Sequence, residues 1–180
     1  MLNTEDSLLV IIDIQEKLVN AVPDGKEIVS NFEKIAHCAD ILNIPTIVTE
    51  QYPKGLGQTV KDLKDSISEG TFTVEKTYFS AMRENDFQNG ISSLGRKQII
   101  LGGIETHICV LQTAYDLIKE GYEVYILKDC TSSRNPSDNE TGIELLKQYG
   151  AKVTCSEIAI FEWLKNSKNP HFKEIQALIK

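Results

Sequence analysis

Cys109 sits where a chain can make a nucleophile. It lies in the stretch Ile99-Ile100-Leu101-Gly102-Gly103-Ile104-Glu105-Thr106-His107-Ile108-Cys109-Val110. Ile99 to Leu101 is an apolar run of the kind that forms a buried strand, and two glycines then interrupt it. Beyond Thr106, the residues Ile108, Leu111, Ala114 and Tyr115 recur at three- and four-residue spacing. That spacing predicts a helix over 106–119 that buries them. The cysteine therefore falls near the first turn of a helix that follows a strand. Unpaired backbone N–H groups and the positive end of the helix dipole favour a thiolate there. A small buried hydrophobe is the other reading of a free cysteine, and position alone does not separate the two.

Two further residues have the right chemistry to act on such a thiol. Asp13 directly follows the aliphatic run Leu8 to Ile12. A carboxylate ending a buried strand is costly without a partner or a task, so Asp13 is either a cap at the strand's end or a general base. Lys76, in Val74-Glu75-Lys76-Thr77-Tyr78-Phe79-Ser80-Ala81, is flanked by apolar and aromatic residues, which predicts partial burial. Taken alone, it reads as a salt-bridging or snorkelling lysine. Beside a cysteine and an aspartate, it would lower a thiol pKa or hold the carboxylate.

The elements that position these groups alternate along the chain. Leu8–Ile12 is a continuous aliphatic run, as in a strand buried on both faces of a parallel sheet. Helical spacing follows over 28–42, a strand over 45–49, and a helix over 83–94 ahead of the Ile99 strand. Gly121 reads as a helix C-cap before a strand over 124–127. A helix over 137–149, a short strand over 151–154 and helices over 158–164 and 172–179 complete the chain. The pattern predicts one α/β domain over 1–180, a three-layer, doubly wound, Rossmann-like, mostly parallel sheet with helices on both faces. Segments 51–71 and 129–138 read as loops after strands, at the carboxyl edge where open α/β sheets bind ligands.

Composition narrows the function classes. The 180-residue chain carries a net charge of −7, spread along its length, which argues against nucleic acid or an anionic membrane as main partner. No signal peptide or bilayer-length apolar run is read. Cys38, Cys109, Cys130 and Cys155 are scattered without a CxxC pair or metal-finger spacing, so free thiols in a reducing cytoplasm are expected, and no metal site or cofactor. No GxGxxG follows the first strand, which disfavours a dinucleotide fold. His37 reads as a surface helix residue and His171 as a helix start. His107 lies near Cys109 and either lines a pocket or supports the backbone. Phe161 and Trp163 close the core or form a subunit contact.

Together, Asp13, Lys76 and Cys109 resemble the catalytic triad of the isochorismatase-like cysteine hydrolase superfamily. The anchors are Val10-Ile11-Ile12-Asp13-Ile14-Gln15, Lys76-Thr77-Tyr78-Phe79-Ser80-Ala81 and Gly103-Ile104-Glu105-Thr106-His107-Ile108-Cys109-Val110. Within that superfamily, Thr49 to Gly57 and Asp129 to Arg134 are most similar to the branch of undefined substrate. The resemblance implies that Asp13 takes the thiol proton and the Cys109 thiolate attacks a carbonyl carbon, forming an acyl-enzyme that water releases. Lys76 gives electrostatic support, and the N–H groups of Glu105 and Cys109 form an oxyanion hole. It also implies a cis peptide between Ile104 and Glu105. Gln15, Gln51, Tyr52, Tyr78, Phe79 and His107 are the candidates for contact with a small-molecule substrate. Nicotinamidases of this superfamily hold a metal with an aspartate and two histidines after the second strand. The corresponding loop, Glu50 to Gly57, has no histidine, so metal ligation and nicotinamidase activity are not expected. A cysteine nucleophile favours amide-like or ester-like substrates over the vinyl ether of true isochorismatases. The superfamily further implies a homo-oligomer. A non-catalytic interaction protein that keeps the fold is the alternative.

Overall fold

The computed structural model describes residues 1–180. In chain order the elements are β1 (Ser7–Ile12), α1 (Glu16–Val19), α2 (Gly25–Ile41), β2 (Thr46–Gln51), α3 (Pro53–Leu56), α4 (Lys61–Ser66), β3 (Phe72–Lys76), α5 (Asn85–Leu94), β4 (Gln98–Ile104), α6 (Leu111–Lys119), β5 (Glu123–Ser132), α7 (Pro136–Gln148), β6 (Lys152–Thr154), α8 (Ser156–Leu164) and α9 (Phe172–Ile179). All six strands are parallel, in the order β3-β2-β1-β4-β5-β6.

Strand β1 shows why the sheet has two covered faces. All six of its residues are buried, and they feed two separate cores alternately. Leu9 and Ile11 pack with Phe32, Ile35, Leu63, Trp163 and Ile175, from α2, α4, α8 and α9. Leu8, Val10 and Ile12 pack with Phe87, Ile91, Leu117 and Leu146, from α5, α6 and α7. Helices therefore lie on both sides of the sheet, giving three layers. The chain winds outward from β1 to β3, crosses to β4 and winds outward again to β6. The strand order reverses between β1 and β4, which makes the carboxyl ends of these two strands the place for a ligand.

Four regions differ from the sequence expectation, each for a physical reason. Phe72–Lys76 is an edge strand with only Val74 and Lys76 buried, so its polar alternate residues hide it. Strand β5 runs on to Ser132, taking Cys130, Thr131 and Ser132 out of the expected loop. Thr131 and Ser132 pair with Gly103 and Ile104 beyond a register shift in β4. On its other side Gly103 (φ +148°) lies so close to β1 that a Cβ would come within 2.1 Å of Ile12 O, which only glycine avoids. The expected helix over 106–119 begins as a wide π turn, Thr106–Val110, and becomes α-helical at Leu111. Its buried residues are Thr106, Cys109, Val110, Thr113, Ala114 and Leu117, whereas Tyr115 is exposed. The expected loop 51–71 contains the short helices α3 and α4, too brief to print a periodicity.

Candidate active site

The three candidate catalytic residues come from the carboxyl ends of β1, β3 and β4, with β2 lying between β3 and β1. Asp13 follows β1 in a left-handed conformation (φ +55°), a region that aspartate enters more readily than most side chains. Lys76 ends β3, and Cys109 lies in the turn after β4. The Asp13 and Lys76 side chains are completely buried, and Asp13 Oδ2 lies 2.8 Å from Lys76 Nζ. Burial of Lys76 is thus full, not partial. This contact is an ion pair whose alignment falls short of a hydrogen bond, so Oδ2 has no hydrogen-bond partner. The other oxygen, Oδ1, accepts the Thr49 hydroxyl at 2.6 Å.

Lys76 is held from several sides. Its ammonium donates to Gln51 Oε1 (2.7 Å), to the carbonyl of Phe79 (3.1 Å) and to that of Tyr78 (3.3 Å). A buried ammonium needs such acceptors, because burial without them costs several kcal/mol. One carboxylate and three further oxygens satisfy it here.

Both charges act on Cys109. Burial pushes the thiol from its ordinary 9.0 up to about 12, the negative charge of Asp13 adds to the rise, and Lys76 opposes it. Burial and the adjacent carboxylate thus work against the thiolate that a helix start and Lys76 would favour. The cysteine also sits in the π turn rather than in the first turn of the α-helix. Glu105 opens this turn, and the peptide joining it to Ile104 is cis. The Glu105 carbonyl accepts the N–H groups of Ile108 and Val110, both at 3.2 Å, which brackets Cys109. The Glu105 N–H donates to no protein acceptor.

The candidate substrate-contact residues occupy two tiers. Gln15 is fully buried; its Oε1 accepts the Gln51 N–H (2.7 Å) and its Nε2 donates to the carbonyls of Gln51 (3.0 Å) and Gly57 (2.6 Å). It clamps the loop after β2. Gln51 is bonded to Lys76 and, through Nε2, to the Thr77 carbonyl at 3.0 Å. Tyr52, Tyr78 and Phe79 are each more than half exposed. His107 is mostly buried, with Nδ1 2.8 Å from Ser133 Oγ. A cavity of about 290 Å³ opens beside Lys76, Tyr52, Thr77 and Glu84. The largest cavity, about 570 Å³, lies at the opposite edge of the sheet, near Thr46, Phe72 and Arg96. Cys109 itself keeps 7% of its surface exposed.

Sequence reasoning gave no role to Thr49, although a hydroxyl ending an aliphatic strand was the available signal. It also missed the Glu105 side chain and Arg134, which pair at 2.5 Å. Cys130, within the expected loop 129–138, belongs to β5 and is buried in the core beneath α2. No group of three or more His, Cys, Asp or Glu side chains is arranged to hold a metal ion, and Glu50 Oε1 accepts the Thr59 N–H and hydroxyl. No helix is long and apolar enough to cross a membrane.

Residues 7–158 match the isochorismatase domain family. The chain is 41% identical over 179 residues to isochorismatase domain-containing protein 2 of Danio rerio, covering 99% of this chain and 89% of that protein. It superimposes with a TM-score of 0.94, at 41% identity, on a structure described as MAR1 ribonuclease from Caenorhabditis elegans, covering 99% of this chain and 91% of that one. The fold is also that of the Escherichia coli YcaC gene product, described as an octameric hydrolase of unknown specificity, with a TM-score of 0.87 at 23% identity, covering 99% and 94% of the two chains. With the doubly wound sheet and the buried Asp13–Lys76 pair beside Cys109, these likenesses establish that the chain belongs to the isochorismatase family of hydrolases.

Proposed function

We propose that this chain is a metal-independent cysteine hydrolase that cleaves a small amide-like or ester-like metabolite. The observation that carries the reading is the completely buried Asp13–Lys76 pair acting on the Cys109 thiol at the switch point of the sheet. A neutral thiol next to a carboxylate oxygen without a hydrogen-bond partner is arranged for concerted chemistry. As the sulfur attacks the carbonyl carbon, Asp13 Oδ2 takes the thiol proton. The carbonyl oxygen gains the negative charge and is received by the N–H groups of Glu105 and Cys109. Collapse expels the leaving amine or alcohol, which takes the proton from Asp13. Asp13 then removes a proton from water, the hydroxide attacks the thioester, and the thiol is regenerated. Lys76 holds Asp13 in place through both protonation states, while Tyr52, Tyr78, Phe79 and His107 line the approach. Gln15 and Gln51 act one step back, on the loop and on Lys76.

Hydrolysis of p-nitrophenyl acetate by wild type and by Cys109→Ala tests the reading. Loss of turnover in the variant is expected; equal turnover would sink it. One observation favours a non-catalytic interaction protein instead, namely that the sulfur is nearly covered and its thiol neutral. That reading expects no turnover from wild type either. The nematode relative's description raises ribonuclease activity, but a net charge of −7 is unfavourable for a polyphosphate. We expect RNA to remain intact with wild type and Cys109→Ala alike. The chain is further proposed to act in the cytoplasm as a homo-oligomer, with no nucleic-acid or membrane partner. Its four unpaired cysteines and the octameric relative support this, and sedimentation velocity would measure the assembly.

A further inference from the structure

Three consecutive residues of the turn that carries Cys109 are tied by their side chains to one segment, 131–139. Glu105 Oε1 pairs with Arg134 Nε at 2.5 Å. The Thr106 hydroxyl donates to Asn139 Oδ1 at 2.6 Å and lies 3.1 Å from the Thr131 hydroxyl. His107 Nδ1 and Ser133 Oγ are 2.8 Å apart. Helix α7 packs so tightly here that a Cβ on Gly142 would come within 3.2 Å of the His107 backbone.

Within this set the Glu105 carboxylate stands out. Its side chain is only 7% exposed, whereas that of Arg134 is 61% exposed. Its second oxygen, Oε2, has no hydrogen-bond partner, and His107 Nδ1, 3.4 Å away, is bonded to Ser133. Arg134 is thus the charged partner that keeps a buried carboxylate in place. Glu105 supplies the backbone that opens the Cys109 turn, so a shift of its side chain moves the N–H groups around the nucleophile. An ion pair between two exposed groups contributes little, but removing the partner of a buried charge is strongly felt.

We propose that Arg134 is a positioning residue, which by pairing with buried Glu105 holds the Glu105 and Cys109 N–H groups where they receive the oxyanion. The inference rests on the hydrolase reading above. It separates the oxyanion pocket, set by the β5–α7 connection, from the thiol's base and cation, set by β1 and β3.

The test compares p-nitrophenyl acetate hydrolysis with iodoacetamide alkylation of Cys109, which needs the thiol's base but no oxyanion pocket. Arg134→Ala should lower kcat about 10- to 100-fold with KM within about threefold, since a small misplacement of donors is felt in the transition state. Its alkylation rate should stay within about threefold of wild type, because Asp13 and Lys76 are untouched. Arg134→Lys, which keeps the charge, should retain kcat within about fivefold. Adding Glu105→Gln to Arg134→Ala should recover part of the lost kcat, as no charge is then left stranded. A wild-type kcat in Arg134→Ala overturns the proposal, as does an Arg134→Lys as poor as Arg134→Ala. So does parallel loss of hydrolysis and alkylation, or a double variant no better than the single one. Failure of the hydrolase reading looks different: Cys109→Ala then hydrolyses the ester at the wild-type rate.

Discussion

Burial pushes the thiols of Cys38 and Cys109 in the same direction, and only Cys109 has a buried carboxylate and ammonium acting on it. Burial pushes each thiol from 9.0 up to about 12. For Cys38, packed inside helix α2 against the core, burial is the sole cause. For Cys109, burial is joined by the Asp13 charge and opposed by Lys76. A rise of the same direction therefore arises on the buried face of a helix and at a polar strand edge. On the proposed reading, what distinguishes a nucleophile is not an easily lost proton but a base to receive it, a cation to steady that base, and N–H groups to meet the product charge. Cys38 has none of these.

That contrast is most easily broken by exchange of roles. Cys109→Ala should lower ester turnover by about 10³-fold or more, whereas Cys38→Ala should leave kcat within about twofold and lower stability by about 1 kcal/mol. Steady-state kinetics and urea unfolding measure both. Comparable activity losses in the two variants would mean that local surroundings do not set the difference. Asp13→Asn should follow, with a loss of about 10²- to 10⁴-fold, because an amide cannot accept the thiol proton. In the native protein Cys38 should stay unlabelled by iodoacetamide in wild type and variant alike, as peptide mass spectrometry would read. Lys76→Met acts on the same comparison through stability. It strands the buried Asp13 carboxylate, and about 3–5 kcal/mol should be lost by urea unfolding. No residue near Cys38 should show a penalty of that kind, and a loss below about 1 kcal/mol would mean that the Asp13–Lys76 pair is not as buried as described.

The legibility of these regions from sequence follows the same division. Strand β1 and helix α2 announce themselves because burial on both faces or on one stripe leaves a periodic apolar print. Asp13 is conspicuous because it interrupts that print. Lys76 was legible as a residue but not as a strand end, since edge strand β3 exposes Phe72, Thr73 and Glu75 and so lacks an apolar run. The end of β5 was hidden in the same way by Cys130-Thr131-Ser132, whose pairing depends on a register shift in a neighbouring strand. The surroundings of Cys109 were not legible for a different reason. A helix start is visible in the letters, but burial and the distance to a carboxylate are tertiary facts. The Glu105–Arg134 pair is of this tertiary kind too, bridging 29 positions through a fold that the local pattern does not encode.

The smallest effect expected is also the one that tests the equality of the two thiols directly. A group whose charged form is disfavoured in the folded state binds its proton more tightly there than in the unfolded chain. Its contribution to stability is therefore full below the unfolded value near 9 and is lost as pH rises from 9 towards 12. Between those limits each thiol should steepen the fall in unfolding free energy by about 1.4 kcal/mol per pH unit. Cys38→Ala and Cys109→Ala should flatten the alkaline limb by similar amounts, measured as differences from wild type so that other titrations cancel. Asp13→Asn separates them, because it removes a charge that raises Cys109 alone. The part of the slope due to Cys109 should then begin at the same pH but end sooner, while the part due to Cys38 stays as it was. If Asp13→Asn leaves the alkaline limb unchanged, the carboxylate does not act on the Cys109 proton, and the distinction between the two cysteines loses its physical basis.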